Sequence, residues 1–116
     1  MEIKINIHGL VKGKPNPGGV SAAFFESLLD TKPLDSLDFG IVTGTKSIEF
    51  YVRNTSTVPV FFDSSIANLP PEVSIGELPS GWYGAGDSAL IALLIRPVKS
   101  EDVQINCELV VRLIAQ

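Results

Sequence analysis

A chain of 116 residues with a net charge of −4 has the size of one core-forming domain. It lacks the clustered Lys and Arg with which a protein displaces counterions from a phosphate backbone, which excludes nucleic acid as an expected partner. Hydrophobic residues make up 45% and charged residues only 19%, below the roughly 25% usual in soluble domains, so either the core is large or apolar surface is left for another protein.

In chain order, residues 2–8 alternate, with Ile3, Ile5 and Ile7 on one face and Glu2, Lys4, Asn6 and His8 on the other. That is the pattern of a half-buried strand. The stretch 9–19 holds Gly9, Gly13, Pro15, Asn16, Pro17, Gly18 and Gly19, which sustains neither a ladder nor a helix, and it reads as a loop or hinge. Residues 20–30 carry Val20, Ala23, Phe24 and Leu28, with Phe25 and Leu29 four apart. This spacing predicts a short helix that stops before Pro33, because proline pushes its predecessor out of the α region. Residues 1–36 are thus expected to be an N-terminal strand, loop and helix, packed on or exchanged from a domain formed by residues 37–116.

From Leu34 the period becomes two. Ile48, Phe50 and Val52 alternate with Glu49, Tyr51 and Arg53, and the strand ends at Asn54-Thr55-Ser56, a turn-forming run. Residues 58–63 read as a strand with Pro59 near its start, where a missing N–H is tolerated. Phe61 and Phe62 are adjacent there, so they face opposite sides, and one of them must meet another layer or a partner. Val73 and Ile75 mark a short strand after Pro70-Pro71. Residues 78–86, with Pro79, Gly81, Gly84 and Gly86 around Trp82 and Tyr83, read as a long turn-rich connection whose aromatics either fold back as a core lid or stand out as contact anchors.

The run 89–95 is apolar at every position, which calls for cover on both faces or a place in an interface. In the last strand Val103, Ile105, Cys107, Leu109, Val111 and Leu113 alternate with a second face that turns apolar at Val110 and Ile114. Cys107 is the only cysteine; it excludes an intrachain disulfide and reads as a buried, inert thiol.

The order of Leu37-Asp38-Phe39-Gly40, a strand ending in Val52-Arg53-Asn54-Thr55, then Val58-Pro59-Val60, and later Ala85-Gly86-Asp87-Ser88 with Ile95-Arg96-Pro97 resembles the immunoglobulin-like domains of the ASH and PapD-like group. The resemblance covers about residues 37–97. It departs from the group's pattern at Ser56, where a turn glycine is usual, and in residues 1–36, which have no counterpart in the minimal domain. It implies an all-β, immunoglobulin-like sandwich and non-enzymatic docking through sheet faces, edges or loops. Similar modules occur as bacteriophage decoration and tail proteins.

Catalytic and metal-binding patterns are weak. Gly86-Asp87-Ser88-Ala89 is similar to the nucleophile block of serine hydrolases, but a serine nucleophile needs an imidazole to take its proton, and His8, the only histidine, sits in the first strand. One Cys and one His make no zinc set. The carboxylates Asp30, Asp35 and Asp38 lack calcium-loop spacing, Gly84-Ala85-Gly86 precedes no helix that could cradle phosphate, and Asn54-Thr55-Ser56 is a formal glycosylation sequon that reads as a turn. No catalytic residue, cofactor or metal is expected. Met1-Glu2-Ile3-Lys4 has no signal-peptide character, and no apolar run nears the roughly 20 residues of a membrane span. The expected chain is a complete product without membrane contact, acting in a virion or in the cytoplasm.

The function expected is a non-catalytic structural subunit of a larger assembly, such as a virion decoration, capsid-associated or tail protein, self-associating or docking on that assembly. The alternative is an intracellular adaptor that binds a peptide or protein edge; a small hydrolase using Ser88 ranks well below both. The expected contact residues are Ile3, Ile5, Ile7, Phe61, Phe62, Trp82, Tyr83, Val110 and Ile114.

Overall fold

The computed structural model describes residues 6–7 and 20–115. They contain seven strands and no helix: β1 (Ala22–Phe25), β2 (Lys46–Asn54), β3 (Val60–Ala67), β4 (Val73–Glu77), β5 (Ser80–Tyr83), β6 (Ser88–Ile95) and β7 (Glu108–Ala115). They form two antiparallel sheets, one of four strands ordered β1-β2-β6-β4 and one of three ordered β5-β3-β7.

Period-two alternation is what puts a core between them. From the four-stranded sheet come Phe24, Ile48, Phe50, Val52, Val73, Ala89, Ile91, Leu93 and Ile95; from the three-stranded sheet come Val60, Phe62, Leu109 and Val111. These side chains belong to one hydrophobic cluster, the arrangement of a β-sandwich. Phe39 and Val42 enter it from the long connection between β1 and β2, and Ile105 and Cys107 from the approach to β7. Ile7 is buried in the same cluster, and Asn6 Nδ2 donates to Asn106 Oδ1 at 2.7 Å.

The helix expected over residues 20–30 is not there. Ala22–Phe25 is a strand paired with β2, in the register Phe24↔Val52 and Phe25↔Tyr51. The two phenylalanines decide this. Both are buried, Phe24 in the core with its ring 6.2 Å from that of Phe50, and Phe25 outside the core cluster beneath Arg53. A strand sends neighbours to opposite faces, whereas a helix turns only about 100° between them. Leu28 and Leu29, which completed the helical spacing, are exposed. The outer edge of β1 meets Leu34, whose N–H donates to Phe24 O at 2.7 Å.

Two further boundaries differ. Residues 78–86 contain β5, so Trp82 and Tyr83 lie on a strand and not in a loop. The alternation of burial runs from Val103 onward as expected, but ladder pairing begins only at Glu108. Cys107 is buried one residue ahead of β7, and burial pushes its thiol pKa up, since a low-dielectric surrounding disfavours the thiolate. In β6 the apolar run splits by side: Ala89, Ile91, Leu93 and Ile95 are buried, while Leu90, Ala92 and Leu94 are half-buried on the outer face.

The edge strand β4 carries a bulge. Its register against β6 slips between Ile75 and Glu77, and a Cβ on Gly76 would lie 3.2 Å from Ala92 O, so the close approach suits glycine. Just before β4, Glu72 is buried; its backbone O accepts from Arg96 N–H at 3.0 Å, and its Oε2 has no hydrogen-bond partner.

Candidate functional site

Register decides which outward side chains stand together. β3 pairs with β5 as Phe61↔Trp82 and with β7 as Phe61↔Ile114. Trp82, Phe61 and Ile114 therefore form one cross-strand row on the outer face of the three-stranded sheet. The rings of Phe61 and Trp82 meet edge to face at 5.5 Å, a favoured aromatic geometry. Trp82 is 53% exposed and Ile114 44%, so the row is packed within itself and open to solvent above. The next row is polar, with Ser80, Asp63 and Arg112 side by side. Beyond it Val110, half-buried, stands opposite Ser65.

The neighbouring residues of each pair face inward. Phe62 is fully buried, and Tyr83 stacks on it at 5.0 Å between centroids. The two aromatics of β5 thus divide the roles left open by the sequence, Tyr83 closing over the core and Trp82 standing outward. Of the other expected contact residues, Ile7 is in the core, and Ile3 and Ile5 lie outside the described residues.

Several polar groups fix β5, and with it Trp82. Chain direction crosses from the four-stranded to the three-stranded sheet at Leu78-Pro79, where Ser64 Oγ donates to Pro79 O at 2.7 Å. Gly81 has φ +118°, a backbone region that a side chain would strain. At the far end of β5, Asn54 is fully buried. Its Nδ2 donates to Val58 O, Tyr83 O and Gly84 O at 2.9, 3.0 and 3.1 Å, and its Oδ1 accepts from Ser56 N–H at 2.9 Å. Sequence marked Asn54 as a turn residue; the structure makes it the tie between the end of β2 and the end of β5. Ser56 then bonds β1's approach from both sides, its Oγ accepting from Ser21 N–H at 2.7 Å and donating to Ser21 O at 3.0 Å. A glycine at position 56 would supply no such hydroxyl.

The outer face of the other sheet is finished differently. Arg53 lies 4.0 Å over the Phe25 ring, donates from Nη1 to Asp30 O at 2.9 Å and from Nη2 to Leu28 O at 2.8 Å, and from Nε to Ser88 Oγ at 3.2 Å. The residue pins the turn after β1 onto the sheet and seals Phe25, a role that sequence reasoning missed because it depends on the 26–30 turn folding back. It also defines the surroundings of Ser88: the hydroxyl faces a guanidinium, which cannot act as a base, and His8 lies outside the described residues. Asp87, next to it, caps the preceding turn, accepting from Gly84 N–H at 3.1 Å, with Gly86 at φ +79°. In the Leu37-Asp38-Phe39-Gly40 motif, Asp38 Oδ1 accepts from Gly40 N–H at 2.9 Å, Gly40 takes φ +75°, and Phe39 is buried in the core.

Among the described residues no group of three His, Cys, Asp or Glu could hold a metal ion, and no helix is long and apolar enough to cross a membrane. Comparison of the chain with protein-family models, with curated proteins and with solved structures finds no match.

Proposed function

We propose that this protein is a non-catalytic contact module, a structural subunit of a larger protein assembly of the virion decoration, capsid-associated or tail kind. The observation that carries the reading is the Trp82–Phe61–Ile114 row. Trp is the residue type most enriched at interface hot spots, and here it is braced by Phe61 and bordered by the polar row of Asp63 and Arg112, the layout of an apolar contact centre with a polar rim. The immunoglobulin-like type belongs to the same proposal. Its support is the strand order, in which β1-β2-β6-β4 follows the A-B-E-D sheet of such domains and β3-β7 the C-F pair, while β5, which lies between β4 and β6 in the chain, is an addition to that pattern.

An intracellular adaptor of the ASH and PapD-like manner is the second reading, favoured by the edge of β7, which no described strand covers and which suits an added strand. Size fractionation of the tagged chain expressed in its native setting separates the two. Wild type is expected with high-mass particles, and a Trp82→Ser/Ile114→Ser variant at its own mass. A wild-type chain that runs with one small partner favours the adaptor, and equal behaviour of wild type and variant removes the row from the contact.

A further inference from the structure

The slip at Gly76 decides the face to which Glu77 belongs. Val73 and Ile75 stand opposite Ile95 and Leu93, on the core-facing side of β6, and unbroken pairing would set Glu77 opposite Ile91 on that same side; after the slip it stands opposite Ala92, on the outer face. Glu49 of β2 stands opposite Ala92 from the other flank. Ala92, the smallest member of the outer strip of Leu90, Ala92 and Leu94, therefore lies between two exposed carboxylates on strands about 10 Å apart. Four residues on, Arg96 is exposed. Its N–H donates to Glu72 O at 3.0 Å, which carries the pairing with the β4 segment one residue past Ile95, and the alternation of β6 puts Arg96 on the outer side with Ala92 and Leu94. Leu94 is the midpoint of the pattern: two carboxylates flank the residue two places before it, and a guanidinium sits two places after it.

We propose that a second copy packs its four-stranded sheet face to face on this one, about a two-fold axis that crosses β6 at Leu94. The two β6 strands then run antiparallel. Leu94 meets Leu94 of the second copy, and Arg96 of each copy lies over Ala92 of the other, with Glu49 on one side and Glu77 on the other. The small Ala92 leaves room there for a planar guanidinium, whose five donors can serve carboxylates on both sides at once. Apolar contact comes from the strip, and charge sets the register. An axis at Ala92 would gather the four carboxylates of the two copies, and one at Arg96 would set guanidinium against guanidinium. An axis at Leu90 would face Glu49 with Arg53, whose guanidinium is already held by the Leu28 and Asp30 carbonyls.

The inference goes beyond the assembly reading above, because it assigns the outer face of the other sheet and names a second copy as its partner. It is tested on the purified full chain by sedimentation equilibrium over a concentration series. Wild type is expected to dimerise. Arg96→Glu sets a third carboxylate between two others in each half of the interface, and Glu49→Arg/Glu77→Arg surrounds each guanidinium with two more. Either reversal is expected to raise the dimer dissociation constant about tenfold or more, since each dimer loses four exposed ion pairs of about two- to fivefold apiece. The combined exchange Glu49→Arg/Glu77→Arg/Arg96→Glu restores opposite signs and is expected to return within about threefold of wild type. All three positions are exposed, so thermal melts are expected to match that of wild type; if one reversal melts early, the other and the combined exchange still carry the test. A wild type that stays monomeric at every concentration overturns the proposal, as do reversals without effect or a combined exchange no better than the reversals. A dimer kept in Arg96→Glu and lost in Trp82→Ser/Ile114→Ser would put the second copy on the aromatic row, which also overturns it. Failure of the assembly reading shows separately, in the particle fractionation of the Trp82→Ser/Ile114→Ser variant, which leaves Glu49, Glu77 and Arg96 untouched.

Discussion

On the outer face of the four-stranded sheet Phe25 is buried beneath Arg53, whereas on the outer face of the three-stranded sheet Trp82 is 53% exposed above Phe61. Both faces carry an aromatic that the core cannot accommodate. One is sealed with material from the same chain, since Arg53 lies over its ring and is itself held by the Leu28 and Asp30 carbonyls. The other has a cross-strand brace and, among the described residues, no lid. The contrast shows that outward apolar residues are not of one kind: intramolecular cover turns one into a second small core, and its lack leaves the other available for contact.

The largest expected effect comes from emptying the sealed site. Phe25→Ala removes a buried ring and is expected to destabilise the fold by about 3 kcal/mol, within the usual span for Phe→Ala in cores, read as a shift in the denaturant midpoint at unchanged slope. A surface-like loss well under 1 kcal/mol would place Phe25 in the same class as Trp82. Next is Arg53→Ala, which loses the stack on Phe25 and the hydrogen bonds to the turn. Its expected cost is about 1–2 kcal/mol, accompanied by faster amide exchange across residues 26–30; an unchanged exchange rate there would show that the turn holds without its clamp. Smallest is Trp82→Ser. It is expected to change the stability of the isolated chain by about 0.5–1 kcal/mol, through loss of the edge-to-face contact, while abolishing entry into particles. A loss near that of Phe25→Ala would instead make Trp82 part of the fold.

Much of the sandwich was legible in the sequence because alternation is a local signal. Ile48, Phe50 and Val52 alternate with Glu49, Tyr51 and Arg53 and form the buried side of their strand, and Cys107, which reads as a buried thiol, is buried. The short helix was misread because Val20, Phe24 and Leu28 satisfy a helical spacing by coincidence. What overrides it is non-local, a layer on each side of β1 that buries Phe24 and Phe25 together. β5 was hidden by Gly81, which reads as a turn residue in sequence and adopts a positive φ within the strand. Trp82, Phe61 and Ile114 were each marked as candidates, yet their alignment in one row depends on the register of three strands distant in sequence. Arg53 and Asn54 act through carbonyls of other segments, which carry no residue-type signature at all.

The bulge at Gly76 bears on how many neighbours the molecule can take. A slipped register twists β4 away from regular pairing, Leu34 occupies the edge of β1, and β5 is short, which leaves β7 as the one long regular edge among the described strands. Three of the four sheet edges that the described strands form are thus poor templates for an added strand. A slip at one glycine therefore does on the β4 side what a charged or proline-bearing edge does elsewhere, and keeps the four-stranded sheet from growing there into a continuous ladder.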